Sequence, residues 1–261
     1  MAGPEGGGTA SPPRVTYLGH ASLVLESGGT SIITDPVFCD RIAGFFTKRS
    51  GRSTFHPEEL QGLAGVLVSH AHHDHLDYPS LKRVGRGHPI VVPWGLAVPM
   101  RWRGFRNVRV LRPWEETALG PWTVTAVPAR HFGGRLPFVF TSGFQGYVLN
   151  GPRCIYFAGD TGLDVTLFRE IGRRFPIDLA ILPIDGALFP SYRKNHMNAA
   201  DALLAFQALG AKQMLPMHFE TFPASFQPAD EARRQLGGES KRLGLEDRVS
   251  ILSEGASLYV E

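Results

Sequence analysis

Between Ser69 and Asp77 the chain reads SHAHHDHLD, placing His70, His72, Asp74 and His75 within six residues directly after the apolar run GVLV. Imidazoles and carboxylates bind cations, and four of them in so short a span form a metal-ligand set. Where such a run continues as extended chain, alternate residues project to one side. His70, His72 and Asp74 then converge, while His75 swings round as the chain enters a helix. Four ligands so close in sequence cannot surround one tetrahedral ion at bonds of about 2.0–2.1 Å, so two ions are expected, each completed by distant residues.

Three further residues supply that completion, each at the end of an apolar run: His131 in VPARHFGG, Asp160 in YFAGDTG and His218 in LPMHFET. The expected assignment gives His70, His72 and His131 to one divalent ion and Asp74, His75 and His218 to the other. Asp160 bridges the two through both carboxylate oxygens. Histidine and carboxylate without thiolate favour zinc, with manganese or iron as alternatives. Ions about 3.5–4 Å apart hold a shared hydroxide that acts as nucleophile at neutral pH, which is hydrolytic chemistry with Asp74 at its centre. Each residue also has a plainer reading when taken singly. The histidine run suits a solvated turn, a lone His131 or His218 suits a hydrogen-bonded structural histidine, and Asp160 in GDTG suits a turn or helix cap. His73 points away from His72 and stays outside the expected set.

The elements that must position these groups are short and alternate in type. VTYLGHASLVLE and TSIITDPVF flank the turn SGG as paired strands. Residues 40–59 lack a period and read as a loop. GVLVSH is a buried strand, DYPSLKRV a short helix, and PIVVPW, VRVLRP and TVTAVPA are further strands. In the second half GYVLN, RCIYFAGDT, LAILPID and QMLPMHF are strands. DVTLFREIGRRF, AADALLAFQALG and EARRQLGGESKRLG are helices. This alternation in two successive halves predicts an α/β fold with two sheets sandwiched between helices, a four-layer arrangement.

The 261 residues suffice for one large domain, expected over 14–261 after a leader at 1–13. Hydrophobic residues at 43% and charged residues at 20% exclude a disordered chain, a coiled coil and a collagen-like repeat. The 30 glycines and 20 prolines favour many short elements joined by tight turns. A net charge of +3 is too slight for a dedicated nucleic-acid binder but suits an anionic substrate or surface. Cys39 and Cys154 are expected to be buried free thiols. The start MAGPEGGGTASPP does not read as a secretory signal and no apolar run reaches membrane-spanning length, so a cytoplasmic chain is expected.

The pattern H-x-H-x-D-H, with LGHAS upstream and FAGDTG downstream, resembles the metallo-beta-lactamase superfamily. The resemblance runs from about Val15 to Phe226 and includes TDPVF, HLDYPSL, VPWGL, PWEE and REIGRRFPIDLAILPID. It is greatest with the branch holding the N-acyl-phosphatidylethanolamine-hydrolysing phospholipase D, with ascorbate-phosphate lactonases nearby. It implies an αββα sandwich with a dinuclear site at the sheet edge and the same seven ligands. It also implies that His196, in KNHMNAADA, lies near the substrate phosphate, where it orients substrate or shuttles a proton. The alternative is that His196 caps the following helix. The chain departs from relatives here, with Met-Asn-Ala-Ala-Asp where they carry Asp-Pro-Glu-Glu. His20 in LGHAS is expected either to support the ligands by a hydrogen bond or to be purely structural.

The leading expectation is therefore a phosphodiesterase of phospholipase D type. A lactonase or other carbonyl hydrolase would use the same nucleophile on carbon, and a non-catalytic metal-binding scaffold would keep the ions without turnover. Neither stacking motifs nor a strong basic stripe supports a nuclease. In AGFFTKRSGR, Phe45 and Phe46 beside Lys48, Arg49 and Arg52 suit peripheral contact with a membrane, or a loop folded over the core. The run RWRGFRNVRVLR, with Arg101, Arg103, Arg106, Arg109 and Arg112, could attract phosphate or form a solvated face.

Overall fold

A computed structural model of the chain describes residues 11–44, 47–53, 55–135, 142–185, 192–222 and 228–261. Three antiparallel strands come first: β1 (Arg14–Tyr17), β2 (Leu23–Ser27) and β3 (Thr30–Thr34). Gly28 and Gly29, at φ 56° and 73°, make the tight turn between the last two, a conformation that glycine adopts without a Cβ penalty. Next follow β4 (Leu63–Leu67), α1 (Tyr78–Val84), β5 (Ile90–Val92), α2 (Ala97–Trp102) and β6 (Val108–Val110). Here β3 to β6 pair in parallel. A second sheet begins with β7 (Glu116–Leu119), β8 (Trp122–Pro128), β9 (Gln145–Asn150) and β10 (Ile155–Phe157), each antiparallel to the next, and continues from β10 in parallel. The remaining elements are α3 (Val165–Arg174), β11 (Leu179–Pro183), α4 (Ala199–Leu209), β12 (Gln213–Met217), α5 (Glu231–Arg242) and β13 (Ser257–Tyr259).

The sheets have the orders β13-β1-β2-β3-β4-β5-β6 and β12-β11-β10-β9-β8-β7. Alternation along each strand of the first sheet sorts its side chains between two cores. Leu23, Leu25, Ile32, Leu67 and Val91 join the core that holds Val124, Leu149 and Phe157 of the second sheet. Val24, Ile33, Val66, Val68, Ile90 and Val92 face the other way, onto Leu81 and Val84 of α1 and Met100 of α2. On the second sheet Phe168, Ile171, Leu203, Phe206 and Leu236 bring α3, α4 and α5 into the larger core. The layers are αββα. Each fully buried Leu, Ile or Phe contributes about 1.5–3 kcal/mol, so the two cores set the position of every loop at the sheet edge.

Several local expectations need correction. β7 lies within PWEETAL, where no strand was read, and β13 returns the end of the chain to β1, pairing Leu258 with Val15. Three-residue strands carry too little periodicity to be found alone. Arg49 cannot meet headgroups: it is 2% exposed, donates to the carbonyls of Val37 and Leu18, and pairs with Glu254 at 2.7 Å. Phe45 and Phe46 lie outside the described residues. Cys154 is buried but Cys39 is partly exposed, and both are free thiols. Among the described residues no helix is long and apolar enough to cross a membrane.

Gly159, two residues past β10, has φ +60°, and a Cβ there would lie 2.6 Å from the Ser69 Cβ after β4. The close approach of these two strand ends therefore depends on glycine. Gly159→Ala is expected to lower unfolding stability by about 1–3 kcal/mol, read as a shifted denaturant midpoint; an unchanged midpoint would contradict this packing.

Candidate metal centre

The histidine-rich run is a turn rather than extended chain. The amides of His75 and Leu76 both donate to the carbonyl of His72, at 3.1 and 2.8 Å, and α1 begins only at Tyr78. The turn divides the run in two, leaving His70 and His72 on one side and sending Asp74 away from them with His75. Arg135 clasps it, donating to the carbonyls of Ala71 and Leu76 at 2.9 and 2.6 Å and lying over the Tyr78 ring.

His131 follows β8, Asp160 follows β10 and His218 follows β12, and all three strand ends deliver to this turn. His70 Nε2 and His131 Nε2 stand 2.9 and 3.2 Å from His72 Nδ1. Ligand atoms around a tetrahedral zinc are separated by about 3.3 Å, so these spacings are those of a coordination shell. The ligand atoms of His70, His72, His131 and Asp160 all lie within 4.8 Å of one another, and so do those of His20, Asp74, His75 and His218. His73 belongs to neither group.

Asp160 joins the groups through a single oxygen. Its Oδ2 lies 3.3 Å from the Nε2 atoms of both His75 and His218, 3.8 Å from His70 Nε2 and 4.0 Å from His131 Nε2. The other oxygen, Oδ1, is buried without a hydrogen bond, as are His75 Nε2 and His218 Nε2. Buried polar atoms left in this state are costly unless a cation meets them. The donor set thus fits divalent ions, with His70, His72 and His131 on one side of Asp160 and Asp74, His75 and His218 on the other.

Residues behind these groups fix which ring nitrogen faces the pocket. His131 Nδ1 donates to the Asn195 carbonyl at 3.0 Å, leaving Nε2 inward. His75 Nδ1 meets Asp35 Oδ2 at 2.7 Å, and Asp35 also accepts from the Ser69 amide and hydroxyl at 2.7 and 2.6 Å. No role was read for Asp35, although TDPVF shows the same strand-then-carboxylate pattern as FAGDTG. His20 Nε2 lies 3.1 Å from Asp74 Oδ2, its ring is 4.0 Å from that of His218, and its carbonyl accepts from the His218 amide at 2.8 Å. It therefore supports Asp74 and is near enough to ligate. His196 is 4% exposed, with Nδ1 3.6 Å from Asp160 Oδ2. It does not cap α4: Asn198 does, in a capping box with Asp201.

Backbone strain gathers at the same place. His20, Asp35 and His218 have φ values of 55°, 30° and 59°, which cost non-glycine residues about 1–3 kcal/mol each.

Charge separates the two groups. Burial, reinforced by neighbouring imidazoles, holds His70 well below the usual histidine range; burial also lowers His72 and takes His131 to about 4. Their lone pairs are free at neutral pH. Burial works against ionisation of Asp160 as well, but His218 and His75 outweigh it and keep the carboxyl well below the usual range. The same contest, with burial overcome by Asp160, raises His218 to about 10. The buried Asp160 carboxylate thus demands positive charge beside it.

The family described as the beta-lactamase superfamily domain matches residues 30–219. The N-acyl-phosphatidylethanolamine-hydrolyzing phospholipase D 1 of Caenorhabditis elegans is 32% identical over 230 residues, covering 80% of this chain and 64% of that protein. A metal-dependent hydrolase of Methanopyrus kandleri is 30% identical over 250 residues, covering 94% of this chain and 98% of that one. A metallo hydrolase structure from Ignicoccus hospitalis superposes with a TM-score of 0.72 at 23% identity, covering 96% and 99% of the two chains, a likeness of fold. The chain spans 64% of the length of the worm protein and of several mycobacterial relatives.

Asp35→Asn removes the charge that orients His75 while keeping the side-chain volume. It is expected to weaken metal retention by about 10–100-fold. Metal content against chelator concentration checks this, and parent-like retention would contradict it.

Proposed function

We propose that the chain, which belongs to the metallo-beta-lactamase superfamily, is a metal-dependent hydrolase that carries two divalent ions, zinc foremost, and cleaves a phosphodiester bond in an N-acyl phospholipid-like substrate. The observation that carries the dinuclear reading is Asp160 Oδ2, shared between two groups of imidazole nitrogens at 3.3–4.0 Å. The similarity to the worm phospholipase supports the substrate class.

When bound, the ions polarise a phosphoryl oxygen and make water a nucleophile at neutral pH. The chain's own residues do the rest. His70, His72 and His131 would hold one ion, and Asp74, His75 and His218 the other, with the rings of His75 and His131 aimed by the hydrogen bonds described above. Water oxygen adds to phosphorus as the phosphorus–oxygen bond to the alcohol breaks, and the departing oxygen takes a proton. His196, beside Asp160 and with its ring 4.8 Å from that of His131, is placed to hold a phosphate oxygen or pass that proton. Phe132 is 49% exposed and its ring lies 4.7 and 4.8 Å from those of His72 and His131. It forms an apolar lip suited to the hydrocarbon part of a lipid.

The test is turnover by zinc- or manganese-loaded protein on N-acyl phospholipids, simple phosphodiesters and lactones, with the lipid expected to be the best substrate. Turnover confined to lactones would replace the reading with carbonyl hydrolysis. Two ions bound without turnover on any of them would make the chain a scaffold. Asp160→Ala is expected to lose an ion and at least about 100-fold in rate together, and full activity in that variant would overturn the bridge. His196→Ala should keep both ions and lower kcat by about 100-fold, consistent with a lost acid–base or orienting group; an unchanged kcat would remove His196 from the reaction.

A further inference from the structure

From Tyr78 to Trp114 the chain carries eight Lys and Arg residues and not one Asp or Glu, although the whole chain is only +3. This acid-free block is α1, β5, α2 and β6, one flank of the first sheet with its covering helices. Three of the eight cations are engaged: Arg83 pairs with Glu58, Arg103 stacks on Tyr78 at 4.1 Å, and Arg109 bonds Thr117 and the Ala118 carbonyl. Lys82, Arg86, Arg101 and Arg106 are exposed, and their side chains make no hydrogen bond or ion pair among the described residues.

Large apolar side chains stand among them. Trp102 is 85% exposed and Val98, one helical turn earlier on the same face of α2, is 56% exposed. Trp94 is 40% exposed and Val110 38%. The patch adjoins the metal pocket, because the Trp94 carbonyl accepts from the Gly143 amide while the nearby Gln145 amide donates to the carbonyl of Ser69, the residue before His70.

We propose that this flank docks on an anionic phospholipid bilayer, with Trp102, Val98 and Trp94 entering the headgroup region and Arg86, Arg101 and Arg106 meeting lipid phosphates. Indole prefers the membrane–water boundary, and cations on a surface helix strengthen binding to anionic lipid. Aliphatic Val98 and Val110 have no use in a base-stacking surface, which favours lipid over nucleic acid. The docking would bring the pocket to the surface where a lipid substrate is presented. In that purpose it rests on the phosphodiesterase reading, while the docking itself stands on charge and exposure.

Metal-loaded protein sedimented with vesicles tests it. Binding is expected to phosphatidylcholine mixed with phosphatidylglycerol, to be absent with phosphatidylcholine alone, and to weaken as salt rises. Trp102→Ala and the double variant Arg101→Glu/Arg106→Glu should each cut partitioning by about tenfold or more while leaving thermal unfolding and turnover of a water-soluble substrate unchanged. Parent-like partitioning of both variants, or no binding to the anionic vesicles, would overturn the proposal. Tighter binding to a single-stranded RNA oligonucleotide than to vesicles would assign the flank to nucleic acid and overturn it equally. Vesicle binding in a chain that turns over only lactones would keep the docking and remove the phosphodiesterase reading.

Discussion

Five imidazoles surround one carboxylate oxygen: His70, His75, His131, His196 and His218 all place a nitrogen within 4.0 Å of Asp160 Oδ2, in a pocket where Asp160 is 3% exposed. A buried carboxylate is tolerated only with compensating charge at close range. The surroundings of Asp160 meet that demand and little else. The strained backbone at His20, Asp35 and His218 is held by hydrogen bonds that link these residues to one another and to β4, as in the His218 amide donating to the His20 carbonyl. Strain of this kind in a polar pocket is one way a fold keeps a reactive arrangement in place.

The two sheets divide this task. Parallel strands deliver polar groups from their carboxyl ends, as the ends of β4, β10 and β12 do for the histidine turn, Asp160 and His218. The antiparallel β8 contributes His131 from a neighbouring edge. Neighbouring residues then aim these groups: Asp35 and Ser69 behind His75, Asn195 behind His131, and His20, itself near enough to ligate, behind Asp74. Phe132 and Trp94 give the same edge an apolar rim, so the polar pocket opens beside surface that suits hydrocarbon.

The layers were legible in the sequence, and so was the convergence of the seven residues expected as ligands, because each rests on a local signal, an apolar run of fixed period ending in a ligand-type residue. What lay beyond reach was non-local. β13 pairs with β1 across nearly the whole chain, and three residues hold no period to announce it. The pattern of the histidine run predicts extended chain, yet a backbone turn closing on the His72 carbonyl separates Asp74 from His70, and hydrogen bonding within the run has no sequence signature. Asp35 escaped because a supporting carboxylate looks like any strand-end aspartate until His75 is seen 2.7 Å away. Arg49 looked like a surface cation, and only its burial against Glu254 and two carbonyls shows it as a brace.

The most direct test of the centre is anomalous diffraction from zinc-loaded crystals. Two peaks about 3.5–4 Å apart are expected, one bonded to His70, His72 and His131 and the other to Asp74, His75 and His218, with Asp160 between them. A single peak, or two peaks with His131 or His218 beyond bonding distance, would contradict the account.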